Sequence, residues 1–71
     1  MYRVYGKPSC PFCVQAKEEL DKRDLPYEYV DIQHDRNAST FIKSIGAKTV
    51  PQIFENDEHI GGYDDLMFII G

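Results

Sequence analysis

Two cysteines, Cys10 and Cys13, stand out as the residues able to do chemistry in this sequence. Pro11 and Phe12 lie between them, and the chain has no other cysteine. A disulfide joining them closes so short a loop that chain entropy gives it only roughly 2 kcal/mol. Two cysteines placed to staple a fold should sit further apart. The spacing points to redox chemistry.

The pair falls where a strand pattern gives way to a helical one. Cys10 occupies the N-cap position and Pro11 the first helical position, which suits a residue without an N–H. A sulfur there faces unpaired backbone N–H groups and the positive end of the helix dipole, and both favour thiolate over thiol. Residues three apart on a helix are neighbours, with Cβ atoms ~5–6 Å apart. That is near disulfide geometry. Cys13, one turn further in, should be the more buried thiol and keep its proton longer. Lys7 adds a positive charge that can stabilise a thiolate or hold an anionic substrate. The expected reaction is thiol–disulfide exchange: Cys10 attacks a substrate disulfide, and Cys13 resolves the mixed disulfide. A zinc site is the main competing use of a CxxC pair, but it needs about four ligands. Only His34 and His59 remain as nitrogen donors, and they do not form an H-x₃₋₅-H pattern. No metal is expected.

The elements that must hold this pair can be read along the chain. Tyr2 to Tyr5 alternates as a short strand, broken by Gly6-Lys7-Pro8-Ser9. Pro11 to about Arg23 is helical, with Cys13, Ala16, Lys17 and Leu20 on one face. Tyr27 to Ile32 is a second strand. Asn37 to Ile45 is a second helix, with Asn37 as its cap, Phe41, Ile42 and Ile45 as its buried stripe, and Gly46 as its stop. Pro51 to Glu55 is a third strand and His59-Ile60 a short fourth. Asp64 or Asp65 opens a last helix through about Ile70. The order β-α-β-α-β-β-α implies a right-handed parallel βαβ unit followed by an antiparallel hairpin. The predicted fold class is α/β: a thioredoxin-like fold, a four-stranded mixed sheet with three helices.

Composition narrows the functions. The 71 residues predict a single domain with no linker. Eight basic against twelve acidic residues give a net charge of −4. Such a chain is a poor nucleic-acid binder, because duplex affinity comes largely from phosphate neutralisation. The longest apolar run, Leu66 to Ile70, falls far short of the ~20 residues of a membrane span. Met1 to Tyr5 lacks the apolar core of a leader, so the expectation is a cytosolic protein starting at Met1.

Three motifs together resemble the glutaredoxin family: Lys7-Pro8-Ser9-Cys10-Pro11-Phe12-Cys13, Thr49-Val50-Pro51-Gln52-Ile53-Phe54 and Gly61-Gly62-Tyr63-Asp64-Asp65-Leu66. They match that family's active-site loop, TVP turn and GG-x-x-D motif, and length and element order agree along nearly the whole chain. The resemblance implies a glutathione-dependent reductase of the dithiol type, acting on protein disulfides and glutathione mixed disulfides. It implies a cis Val50–Pro51 bond, with Val50 pairing to the cysteinyl backbone of glutathione beside Thr49. It implies that Gly62, Tyr63 and Asp64 receive the γ-glutamyl carboxylate, that Asp65 faces the γ-glutamyl ammonium and that Lys7 pairs with the glycine carboxylate. Phe12 stands where Tyr is commonest. Ala38 stands where relatives often carry Gln or Arg, which leaves Arg36 or Asn37 as substitutes.

Partners implied are glutathione and disulfide-containing proteins, with ribonucleotide reductase one candidate, and a monomer is expected. A redoxin fed by thioredoxin reductase is the competing reading; such proteins carry an aromatic W-S-G-F-x-P stretch, and this chain has no Trp. An iron–sulfur carrier is a third; Pro11 and Cys13 argue against it. His34 and His59 read as surface residues.

Overall fold

The computed structural model describes residues 1–71. Its elements are β1 (Tyr2–Gly6), α1 (Pro11–Lys22), β2 (Tyr27–Asp31), α2 (Arg36–Ser44), β3 (Gln52–Glu55), β4 (Glu58–Gly61) and α3 (Tyr63–Ile70). The sheet order is β2-β1-β3-β4. β1 runs parallel to β2, and β1–β3 and β3–β4 are antiparallel. This is the thioredoxin-like α/β arrangement that the sequence predicts.

β1 is central, and its alternation explains why helices cover both faces. Tyr2 and Val4 point into one core with Ala16 and Leu20 of α1, Ile53 of β3 and Leu66 of α3. Tyr5 points the other way, into a smaller core with Ala38 and Ile42 of α2. Val4, Leu20, Ile53 and Leu66 are fully buried. Burying a side chain of this kind stabilises a fold by about 1.5–3 kcal/mol. Aromatic rings extend the smaller core. Tyr5, Phe41 and Phe54 stand mutually 5.5–5.6 Å apart, and His59 stacks on Phe54 at 4.7 Å.

Three local expectations need correction. The cap of α2 is Asp35, whose Oδ1 accepts the Ala38 N–H at 3.0 Å, and not Asn37. Both residue types cap well; Asp35 is the one standing three residues ahead of an N–H left unpaired by the helix. The buried stripe of α2 is Ala38 and Ile42, while Ile45 is 39% exposed and Phe41 meets the core only through its ring. The last helix starts at Tyr63, with Gly62 in the cap position.

Candidate active site

Cys10 sits between the end of β1 and the first turn of α1. Its backbone is extended (φ −97°, ψ 111°), as an N-cap requires. Its N–H donates to the Lys7 carbonyl at 3.2 Å, closing the loop, and its carbonyl accepts the Val14 N–H at 3.2 Å. Its Sγ takes the role usually played by a capping oxygen and accepts the Cys13 N–H at 3.1 Å. The same Sγ–H donates to the Val50 carbonyl at 3.5 Å. Both cysteines are free thiols, and Cys13 is fully buried. Burial, with the Cys10 sulfur beside it, pushes the Cys13 thiol up to about 12. The pair is therefore asymmetric: Cys10, buried but still 8% exposed, caps the helix, and Cys13 is fully enclosed and held as a thiol.

The floor under Cys13 is Gly6. A Cβ on Gly6 would stand 2.7 Å from Cys13 Sγ and 2.8 Å from the Tyr29 hydroxyl, so only glycine lets β1 pass this close. Burial, then the neighbouring Cys13, Asp31 and Cys10, push the Tyr29 phenol up to about 12. Lys17 lies 4.2 Å over the Tyr29 ring centroid.

Two clefts meet at the Thr49–Val50 turn, against which Cys10 packs. The first, of about 530 Å³, is lined by Phe12, Thr49, Val50, Pro51, Gly62, Tyr63, Asp64 and Asp65 together with Gln52 and Gly61. Eight of the sequence-predicted site residues thus meet in one place. The Val50–Pro51 bond is cis. The rings of Phe12 and Tyr63 face each other across the mouth, 5.5 Å apart. Gly61 has φ +119°, and a Cβ there would collide with the Asp65 carboxyl. That carboxyl accepts the Gly62 N–H at 3.0 Å through one oxygen, which fixes the start of α3, and the residue lines the cleft. The first turn of α3 offers N–H groups and two carboxylates, suited to a ligand end that carries both charges.

The second cleft, of about 510 Å³, is lined by Cys10 itself and shares Thr49 and Val50 with the first. Lys7 lines it, apart from the eight. Lys43 of α2 and Lys48 line it too, and the sequence reading missed both. The hint lay in Ser39, Ile42 and Lys43, which fall at i, i+3 and i+4 on one helix face. Neither Arg36 nor Asn37 lines either cleft; Asn37 and the buried Ala38 border a shallow hollow beside Arg3.

The sequence reading also missed a relay behind the Thr49–Pro51 turn. Gln52, buried in β3, donates from Nε2 to the Thr49 carbonyl at 2.8 Å. Its Oε1 is then left to accept, and His59 Nε2 donates to it at 2.7 Å. His34 pairs with Asp31 at 2.8 Å on the surface.

A CxxC pair opening the first helix of this sheet, beside a Pro turn, defines a dithiol protein of the thioredoxin-like class. The glutaredoxin family model matches residues 3–60. Glutaredoxin 1 of Rickettsia typhi is 44% identical over 66 residues, covering 89% of this chain and 64% of its own length. Among solved structures, glutaredoxin 1 of Francisella tularensis superposes with a TM-score of 0.83 at 30% identity, over 97% of this chain and 90% of that one. A buckwheat glutaredoxin–glutathione complex superposes with a TM-score of 0.81 at 25% identity, over 94% of this chain and 64% of that one. The chain belongs to the glutaredoxin family, and it spans just under two thirds of the Rickettsia relative.

Proposed function

We propose that this chain is a thiol–disulfide oxidoreductase that uses glutathione as its reductant. The observation that carries the proposal is the position of Cys10 Sγ, which receives the Cys13 N–H at 3.1 Å in the lining of one open cleft and against Val50, which lines both. An N–H aimed at a sulfur stabilises negative charge there. Cys10 as thiolate attacks one sulfur of a protein disulfide, and the other sulfur leaves as a thiolate. Cys13 gives up its proton, attacks the Cys10 sulfur and releases the second substrate thiol. Two electrons have passed to the substrate, and Cys10 and Cys13 are left joined. One glutathione opens that disulfide at Cys10, and a second removes the first as oxidised glutathione.

In this reading glutathione runs from the first cleft across the Thr49–Val50 turn to Cys10 and Lys7 in the second. Its cysteinyl backbone pairs with Val50 beside Thr49 and Pro51. Its γ-glutamyl end meets the Gly62, Tyr63 and Asp64 end of α3, with the ammonium on Asp65. Phe12 packs over the bound chain and Lys7 meets the glycine carboxylate. The buckwheat neighbour, solved with glutathione, supports this assignment. Protein disulfides are the substrates, with ribonucleotide reductase a candidate among them, and a monomer in a reducing cytoplasm is the working form.

The test is NADPH consumption with hydroxyethyl disulfide, in one arm with glutathione and glutathione reductase, in the other with thioredoxin reductase alone. Turnover only in the glutathione arm, lost in Cys10→Ser, is the expected result. Turnover only in the other arm would make the chain a thioredoxin-reductase-fed electron donor and overturn the proposal.

A further inference from the structure

The two clefts that share Thr49 and Val50 have opposite charge, and Cys10 lines the second. Asp64 and Asp65 are the only ionisable side chains that line the first besides Tyr63. The second carries Lys7, Lys43 and Lys48 and no carboxylate at all. In a chain with eight basic and twelve acidic residues, three of the eight gather in this one groove. None of them is spent on an ion pair within the chain; the paired cations are Arg3, Lys22, Arg23 and His34. Between the lysines the groove is floored by Ile42 and Ala47.

We propose that this groove docks the acidic segment of a protein substrate next to the cysteine that Cys10 attacks. The inference rests on the reading of the chain as a disulfide reductase and names the class of protein disulfide it prefers. Charge complementarity selects the occupant. Glutathione has a single glycine carboxylate, which Lys7 meets, so Lys43 and Lys48 exceed what glutathione can neutralise. The negative net charge repels nucleic acid from the molecule as a whole. A peptide with acidic residues beside its disulfide fits both the ammonium groups and the apolar floor. The lysines stand in the same cleft as Cys10 and the carboxylates in its neighbour, which also sets the direction in which a substrate chain lies past the sulfur.

The experiment uses three peptides of equal length, each with one intramolecular disulfide, flanked by acidic, uncharged or basic residues. Reduced protein is mixed with each, and the peptide dithiol formed in a single turnover is followed after acid quench. The wild type should reduce the acidic peptide about tenfold faster than the basic one, a modest steering effect. The double variant Lys43→Glu/Lys48→Glu should reverse that order, and Lys43→Gln/Lys48→Gln should abolish it. Hydroxyethyl disulfide turnover and the KM for glutathione should stay unchanged in both. An unchanged peptide order in the variants overturns the proposal. So does a raised KM for glutathione with the order kept, which would assign the lysines to glutathione. Peptide discrimination without any glutathione-driven turnover would leave the docking inference standing while the glutathione reading failed.

Discussion

The Cys13 N–H points at the Cys10 sulfur from 3.1 Å, so the backbone of one cysteine caps the helix through the side chain of the other. Removing either side chain therefore has a different consequence. Cys10→Ser loses the nucleophile, and hydroxyethyl disulfide turnover should fall by ~10³-fold or more. A serine oxygen still caps the helix, so the melting temperature should hold. Cys13→Ser leaves the Cys10 sulfur and the donating N–H in place. It should keep reducing glutathione mixed disulfides, where a second glutathione resolves the intermediate, and lose single-turnover reduction of protein disulfides. Equal loss on both substrates would show that Cys13 does more than resolve.

The buried Cys13 thiol gives the fold a pH signature. Its folded value is raised from 9.0 to about 12, first by burial and then by the Cys10 sulfur. A raised value means the folded state holds the proton longer than the unfolded chain does. The stability this confers is complete below pH 9.0 and is lost as pH rises toward 12. Tyr29, raised from 10.0 to about 12, adds loss of the same sign. Urea unfolding of wild type and Cys13→Ala between neutral pH and the onset of alkaline unfolding isolates the cysteine. The stability of wild type should decline more steeply above pH 9, and parallel curves would show that Cys13 ionises as freely in the fold as outside it.

What was legible in the sequence was local. Cys10 as N-cap and Pro11 at the first helical position follow from which residues stand next to which, and so does the Gly61-Gly62 break before α3. The Asp35 cap of α2 was missed by two residues, because Asp35 and Asn37 cap equally well by type and only backbone geometry chooses. Ile45 read as buried by helical spacing, yet the helix ends at Ser44 and Ile45, as its C-cap, leaves the helical face and is 39% exposed. Lys43 and Lys48 escaped notice because their meeting with Lys7 depends on how the β2–α2 crossover returns to β3. Gln52 and His59 meet only through the β3–β4 register, which shifts between Ile53 and Phe54.

Asp65 holds two roles that substitution can separate. Its carboxyl accepts the Gly62 N–H at 3.0 Å and also faces the first cleft. Asp65→Asn keeps an oxygen to accept that N–H but loses the charge. It should leave the melting temperature nearly unchanged and raise the KM for glutathione several-fold, as expected for a lost charge pair worth about 1 kcal/mol. Asp65→Ala loses the cap as well and should cost about 1 kcal/mol of stability besides. Gly61→Ala should resemble Asp65→Ala, since its φ of +119° and the collision with the Asp65 carboxyl displace the same cap. A KM unchanged in all three would remove Asp65 from the glutathione site.

Gln52 ties the hairpin to the turn that borders Cys10, and the tie can be tested as positioning rather than as packing. Its Nε2 donates to the Thr49 carbonyl at 2.8 Å while its Oε1 accepts from His59 at 2.7 Å. Gln52→Met keeps the volume and removes both bonds, leaving the Thr49 carbonyl without its partner at a cost of about 1–3 kcal/mol if water cannot reach it. Because Thr49 and Val50 line both clefts, loosening this turn should raise the KM for glutathione while kcat falls less. His59→Ala removes the outer bond alone and leaves the inner one, so its effect on KM should have the same direction and smaller size. The backbone ¹⁵N heteronuclear NOE at Val50 reads the mobility of the turn directly and should fall in the same order, wild type highest and Gln52→Met lowest. A Gln52→Met protein that is less stable yet keeps its KM and its Val50 NOE would make the bond a packing detail of β3.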